Sequence, residues 1–269
     1  MVKGRVGHRG LEPSEEESLD ELTPDWKIFQ LKRGHRFSTD DLMTAWMAWR
    51  HRPQGQRLLD LGCGLGTVGL LTLHKMQPEA CLTGVEVQEV SFELAQRTVQ
   101  YNKLQDRVRL FHSDLRDEGW FTPGDTWDVI TGSPPYFPLG TAVVSPHPQR
   151  AGARMELRGH VGDYVKRAAQ LLSSDGVFSL CHVFGDPRAA GAIRDAGLVC
   201  LAKVDVVFRE GKRPTITLYA CAWDGVPEAD SRFTIRDSAG EFTPEYLAMR
   251  AQMGMPDALS GLSQGGRRR

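Results

Sequence analysis

The sequence predicts an α/β fold: a mostly parallel seven-stranded sheet with helices on both faces and one antiparallel edge hairpin. Three observations predict it. Short apolar runs alternate with amphipathic stretches from residue 57 to residue 196, the pattern of parallel strands that cross over through helices. The first apolar run ends in the glycine turn Gly62-Cys63-Gly64-Leu65-Gly66, which suits a strand feeding directly into a helix. The last two apolar runs are long and separated only by the charged, glycine-containing segment 209–214, the mark of a hairpin.

Taken in order, residues 1–24 are polar and carry Glu15-Glu16-Glu17, Asp20 and Glu21; they read as a flexible acidic extension. Residues 25–253 read as a single domain, opened by a segment over 25–55. Strand signals fall at 57–61, 81–87, 108–112, 127–131, 176–183, 198–208 and 215–223. Helical periodicity falls between them at 67–76, 90–102, 161–172 and 187–196. Residues 254–269 are rich in Gly and Ser and end in three arginines, which reads as a flexible tail.

Composition narrows the class. At 269 residues, with 41% hydrophobic and 25% charged residues, the chain can bury one substantial core. A net charge of −1 gives no global field that would gather nucleic acid, although a local basic rim would suffice for an enzyme. Five cysteines, none in a C-x-x-C pair, suggest neither a disulfide framework nor a metal site; they read as core thiols in a reducing compartment. No apolar run marks a signal peptide or a membrane span. The expectation is a cytoplasmic protein without a metal; the oligomeric state is left open.

Ligands bind at the C-terminal ends of strands in such sheets, and the polar residues of interest gather there. Gly62, Gly64 and Gly66 allow a tight turn and close approach of backbone to ligand. Asp60 precedes them and could accept from an ammonium. Glu86 ends the second strand, where a carboxylate suits ribose hydroxyls. Asp114 follows the third and could accept from an adenine amino group. The spacing Gly64-x-Gly66-x-x-Gly69 also fits a dinucleotide site. However, Asp60 would then face a pyrophosphate, and no hydride-transfer constellation is present.

After the fourth strand comes Ser133-Pro134-Pro135-Tyr136. A hydroxyl, two prolines and an aromatic form a rigid corner with an acceptor and a flat face. Methyl transfer to an exocyclic amine needs the nitrogen lone pair aimed at the donor, and position supplies most of the rate. Ser133 Oγ and the Pro134 carbonyl could hold the two N–H groups, while Tyr136 stacks the ring. Together the glycine turn and this corner point to S-adenosylmethionine-dependent methylation of a nitrogen. His182 reads as a core or edge histidine.

These motifs resemble the class I, Rossmann-like methyltransferases. More closely, the chain resembles the bacterial N6-adenine methyltransferases that modify valine tRNA beside the anticodon. The segment Gly34-His35-Arg36-Phe37-Ser38-Thr39-Asp40-Asp41-Leu42-Met43-Thr44-Ala45-Trp46 is the most specific piece and resembles the part that closes over the cofactor's methionine end. The resemblance implies cofactor contacts from Phe37, Thr39, Asp40 and Ser133, and from Val87 and Leu115 beside the two acidic strand ends. It implies substrate contacts from Phe137, Arg150 and Arg154, with tRNA or another RNA as partner. The family's corner begins with Asn; here it begins with Ser133. Serine occurs there in cytosine-N4 DNA methyltransferases, and related corners serve protein glutamine methylation. The acceptor therefore stays open among adenine in tRNA, another amine, and a binding role without turnover.

Overall fold

The computed structural model describes residues 11–138, 140–141 and 144–255. Residues 1–10 of the acidic extension and 256–269 of the tail lie outside these. The chain opens on a hairpin, β1 (Glu17–Glu21) and β2 (Lys27–Leu31). The remaining strands are β3 (Arg57–Leu61), β4 (Cys81–Glu86), β5 (Val108–His112), β6 (Trp127–Gly132), β7 (Leu172–Val183), β8 (Val199–Val207), β9 (Ile216–Ala222) and β10 (Ser231–Thr234). They form one sheet in the order β10-β8-β9-β7-β6-β3-β4-β5.

Strand β9 runs antiparallel to both neighbours, β7 and β8, while the other pairings are parallel. The β8–β9 hairpin exists, but its reversed strand is internal. Strand β9 inserts between β7 and β8, and β10, an eighth strand, takes the edge. All seven residues of β9, Ile216–Ala222, are buried, as expected of a strand covered on both faces.

The helices are α1 (Thr39–His51), α2 (Thr67–Lys75), α3 (Glu89–Tyr101), α4 (Pro148–Arg154), α5 (Val161–Leu171), α6 (Pro187–Asp195) and α7 (Pro244–Gln252). Successive strand residues serve opposite faces. Leu58, Val129 and Cys181 join a core with α1, α2 and α3, whereas Leu59, Ile130 and Leu180 join a second core with α5 and α6. This alternation is what places helices on both sides.

One expectation is overturned. Residues 11–24 do not form a free extension, because Glu17–Glu21 pairs with β2 along its whole length. The strand lacks apolar alternation and is held by polar bonds instead. Arg97 of α3 bonds Glu17 at 2.6 Å, and Arg36 bonds Asp20 at 3.0 Å. Strand β2 is tied to α3 as well: Phe29 N–H donates to Thr98 Oγ1 and Lys27 N–H to Asn102 Oδ1. The thiols also differ from a uniform core set, since Cys81 is exposed and Cys200 half-buried. Among the described residues no helix is long and apolar enough to cross a membrane.

Candidate active site

At the C-terminal ends of β3, β4 and β6 lies an open cavity of about 870 Å³, counted out into the solvent at its mouth. Asp60, Gly62, Gly64, Glu86, Val87, Leu115, Ser133 and Pro135 line it. The structure therefore brings the glycine turn and the Ser-Pro-Pro-Tyr corner to a single site. This follows from strand order: β3 is hydrogen-bonded between β4 and β6, so the turn after β3 has the acidic end of β4 on one side and the corner after β6 on the other.

The turn is strained in a way that glycine allows. Gly62, Gly64 and Gly66 have φ of 60°, 56° and 82°, a region where side chains are disfavoured. A Cβ on Gly62 would lie 2.1 Å from the Tyr164 hydroxyl, and one on Gly64 would meet nothing within 4 Å. Backbone at Gly64 is thus bare toward open space. Gly62→Ala should combine a left-handed alanine, costing about 1–2 kcal/mol, with displacement of Tyr164. The expected result is a lower melting temperature and weakened cofactor affinity, read by thermal unfolding and titration calorimetry.

Three carboxyl groups face this cavity. Asp60 is 2% exposed; its Oδ2 accepts from Gly69 N–H (2.9 Å) and its Oδ1 from Thr131 Oγ1 (2.7 Å). Burial, with nearby Glu86 adding to it, pushes its pKa up to about 7. Glu86 is 4% exposed; Oε2 accepts from Gly64 N–H (2.8 Å) and Oε1 from Gln88 N–H (2.6 Å). Burial raises its pKa too. Asp41, which caps α1 by accepting from Ser38 N–H at 2.8 Å, is pushed up to about 7 by burial and by Asp40 and Asp60. Asp60 and Glu86 are buried and Asp41 half-buried beside one cavity, and a cation bound there would favour their charged forms. That chemistry fits S-adenosylmethionine, which carries a sulfonium and an ammonium, beside a glycine turn bare enough for its approach.

Other expected residues sit differently. Phe37, Thr39 and Asp40 do not line the cavity; from the same segment His35 and Asp41 do. The segment is strapped down from three directions. Phe37 N–H donates to Gln30 Oε1, His35 N–H donates to the buried Gln149, and Gln149 in turn reaches Ser91 of α3. The β1–β2 hairpin therefore braces the segment through Asp20 and Gln30. Asp114 lies beside the cavity rather than on its wall. Arg116 holds both its oxygens, at 2.9 and 2.6 Å, and keeps its carboxyl below the usual range.

At the corner, Ser133 and Pro135 face the cavity, whereas Pro134 is buried behind them. Tyr136 packs against the first core and donates its hydroxyl to Asp40 Oδ2 at 3.1 Å. Phe137 pairs with Met155 after α4, and Arg154 stands over its ring at 5.6 Å. Arg150 instead donates to the carbonyls of Arg33 and Gly34, so its guanidinium latches α4 to the N-terminal segment. Among the described residues no group of His, Cys, Asp and Glu could hold a metal ion.

Sequence reasoning did not find Asp41 or Tyr164. Asp41 carried a signal of another kind, since Ser38-x-x-Asp41 is a capping pattern. Tyr164 arrives from α5, about a hundred residues beyond the turn it supports, and only tertiary structure shows it.

Comparison with known proteins bears on the family and the fold. The family model described as the methyltransferase small domain matches residues 42–182. The chain is 26% identical over 214 residues to a protein of Pasteurella multocida named tRNA1(Val) (adenine(37)-N6)-methyltransferase, covering 80% of this chain and 87% of that one. It is 27% identical over 212 residues to a protein of the same name from Mannheimia succiniciproducens, covering 77% and 82%. Among solved structures, a precorrin-6y C5,15-methyltransferase of Geobacter metallireducens superposes with a TM-score of 0.52 at 16% identity, covering 74% of this chain and 94% of that one. A complex of aTrm5 with tRNA-Leu gives 0.53 at 13% identity, covering 78% and 53%. The shared fold, the matched family and a cavity lined by carboxyl groups and a glycine turn lead to one conclusion: the chain belongs to the methyltransferase small-domain family and is an S-adenosylmethionine-dependent methyltransferase.

Proposed function

We propose that this enzyme methylates the N6 amine of an adenine in tRNA, the adenine beside the anticodon. The observation that carries the reaction is the shared cavity: Ser133 and Pro135 line the same space as Gly64 and Glu86. An amine held at Ser133 is therefore beside the donor. The acceptor rests on the names of relatives that align over about four-fifths of the chain. From such an acceptor we infer that the enzyme works in the cytoplasm.

S-adenosylmethionine supplies an electrophilic methyl group. The chain's residues do the rest by position. Glu86 would hold the ribose, Asp60 and Asp41 the methionine cations, and Leu115, Val87 and Asp114 the adenine end. The N-terminal segment that carries Phe37, Thr39 and Asp40 would cover the methionine end, with His35 and Asp41 as its residues on the cavity wall. Ser133 Oγ and the Pro134 carbonyl accept the two N–H groups of the target amine, so that its lone pair points at the methyl carbon. Tyr136 supports the base, which must be unpaired or flipped to enter. Phe137 with Arg154 above it forms a ledge where a neighbouring nucleotide can stack against ring and guanidinium. Residues 25–253, with strand β1 paired onto them, act as one catalytic domain.

The test is isotopically labelled S-adenosylmethionine with separate pools of tRNA, genomic DNA and cell protein, each digested and its methylated product identified by mass. Labelled N6-methyladenosine from tRNA supports the reading, and mapping then tests the position. Label only in DNA or protein overturns the acceptor. No label in any pool, with cofactor bound, overturns catalysis on these acceptors.

A further inference from the structure

The cofactor cavity lies over the ends of β3 and β4, and the corner follows β6 on its other flank. A polymer that offers its amine at Ser133 therefore lies over the strand ends beyond β6. The next strand is β7. Strand β8 runs parallel to β7, because both are antiparallel to β9. The loop between β8 and β9 thus emerges on the same edge of the sheet as the corner.

That edge carries two pairs of one kind. Arg154 stands over the Phe137 ring, 5.6 Å from its centre, and Arg213 over the Phe184 ring, 5.3 Å from its centre. Each ring is half-buried and each arginine exposed. Phe184 directly follows β7, and its N–H donates to the Thr215 carbonyl at 2.9 Å. This bond fastens Phe184 to the loop that carries Arg213.

Both pairs are left over from the fold. Among the described residues, Phe137 and Phe184 join neither core, and Arg154 and Arg213 have no ion pair or side-chain hydrogen bond. Elsewhere such pairs serve packing. Phe29 under Arg97 and Phe242 under Arg236 belong to the first core or pack on it, and Phe111 under Arg109 packs on the second. The acids near Phe184 are engaged: Arg188 bonds both Glu156 and Asp186 at 2.6 Å, and Glu210 accepts from Ser238 N–H at 3.0 Å. The loop itself sets Arg209, Lys212 and Arg213 against one acid, Glu210. A flat ring beside a guanidinium, in a local excess of positive charge, suits a base and its phosphate.

We propose that Phe184 and Arg213 form a binding station for the RNA strand that carries the target adenine. An unpaired flanking base stacks on the Phe184 ring, and the Arg213 guanidinium holds a neighbouring phosphate. The proposal rests on the reading of RNA as the acceptor. Phe137 with Arg154 takes the nucleotide at the corner, and the station takes the strand on the side away from the cofactor. Stacking accepts any base and a phosphate contact carries no sequence, so the station fixes position, not sequence.

The test is binding of an unmodified tRNA transcript pool over a range of salt, with thermal unfolding and cofactor titration of every variant. Arg213→Ala, in an exposed loop, weakens tRNA binding about fivefold and lowers the slope of log affinity against log salt by about 0.7, one single-strand phosphate contact. Phe184→Ala weakens binding about tenfold, and Phe184→Trp, which still offers a ring, recovers most of it. Affinity for S-adenosylmethionine stays as in the wild type throughout. Arg109→Ala is the control, since its pair lies on β5 at the far edge of the sheet; it leaves affinity and slope unmoved. Unchanged tRNA binding in Arg213→Ala and Phe184→Ala, beside a wild type that binds and labels tRNA, overturns the station and leaves the acceptor standing. Equal losses from Arg109→Ala and Arg213→Ala overturn it as well, because they mark a general effect of charge. A wild type that neither binds nor labels tRNA removes the acceptor and the station together.

Discussion

Ser133→Ala lowers kcat about a hundredfold, equivalent to about 2.7 kcal/mol, while the protein still binds S-adenosylmethionine and still folds. The size follows from what is lost. One N–H of the amine loses its acceptor, and its nitrogen loses the orientation that exposes the lone pair. Deleting one preorganised polar partner of a reacting group typically costs 10²–10³. The loss falls on kcat because the partner matters most in the transition state. Folding is spared because Ser133 is half-buried at the cavity wall, and its one described bond, to Cys181, is long at 3.8 Å. Steady-state kinetics alongside calorimetric titration of the cofactor separates the two effects. A kcat within about threefold of wild type would remove Ser133 from the chemistry. Ser133→Asn asks a different question. A gain in rate marks a site that retains the geometry of the carboxamide; a loss marks one rebuilt around the hydroxyl.

How much of this was legible before the structure depends on where the signal lies. The alternation of Leu58 with Leu59, and of Val129 with Ile130, is a local pattern, and it gives the central sheet and its two-sided helical cover. Asp60, Glu86 and Ser133 are legible because each ends a strand, where the sheet's geometry directs a ligand. Strand β1 is not legible, since Glu-Ser-Leu-Asp-Glu has no apolar alternation and its partners Arg36 and Arg97 lie far along the chain. The place of β9 between β7 and β8 is hidden for a related reason. A hairpin's residues say that two strands pair, but not which of them meets the rest of the sheet. Arg150 shows the limit for charge: a basic residue beside a corner reads as a substrate contact, yet its guanidinium serves two backbone carbonyls. The contacts that run from Asp40 through Tyr136 and Cys181 to Ser133 join α1, the corner and β7, and no sequence spacing encodes them.

The carboxyl groups of the cavity make cofactor affinity depend on pH, with a sign that can be worked out. Burial pushes the Asp60 carboxyl up to about 7, from an ordinary value of 3.8. A raised value means that the free protein holds a proton there which the unfolded chain has already released. The stability contributed by this group is full below about pH 4 and lost as pH rises through 7. Glu86, Asp41, Cys63 and Tyr164 share the cavity with Asp60, and a carboxylate among them only favours the neutral form. A bound sulfonium and ammonium reverse the balance, stabilise the carboxylate and expel the proton. Affinity for S-adenosylmethionine therefore rises with pH. If one such carboxyl ionises on binding, the dissociation constant falls about fiftyfold between pH 5 and pH 7, a range in which the ligand's own ammonium stays protonated. Calorimetry at pH 6 in buffers of different ionisation enthalpy should show about one proton released per cofactor bound. Asp60→Asn is the informative variant. Thr131 Oγ1 already lies 3.4 Å from the Leu59 carbonyl, so it can turn its proton there and accept from the substituted amide, while Gly69 N–H keeps an acceptor. The fold should survive, affinity at pH 7 should fall, and the pH dependence should flatten. A steep dependence that persists in Asp60→Asn would move the titrating group to Asp41, whose pKa is also about 7; a flat dependence in the wild type would mean that no cation meets these carboxyl groups at all.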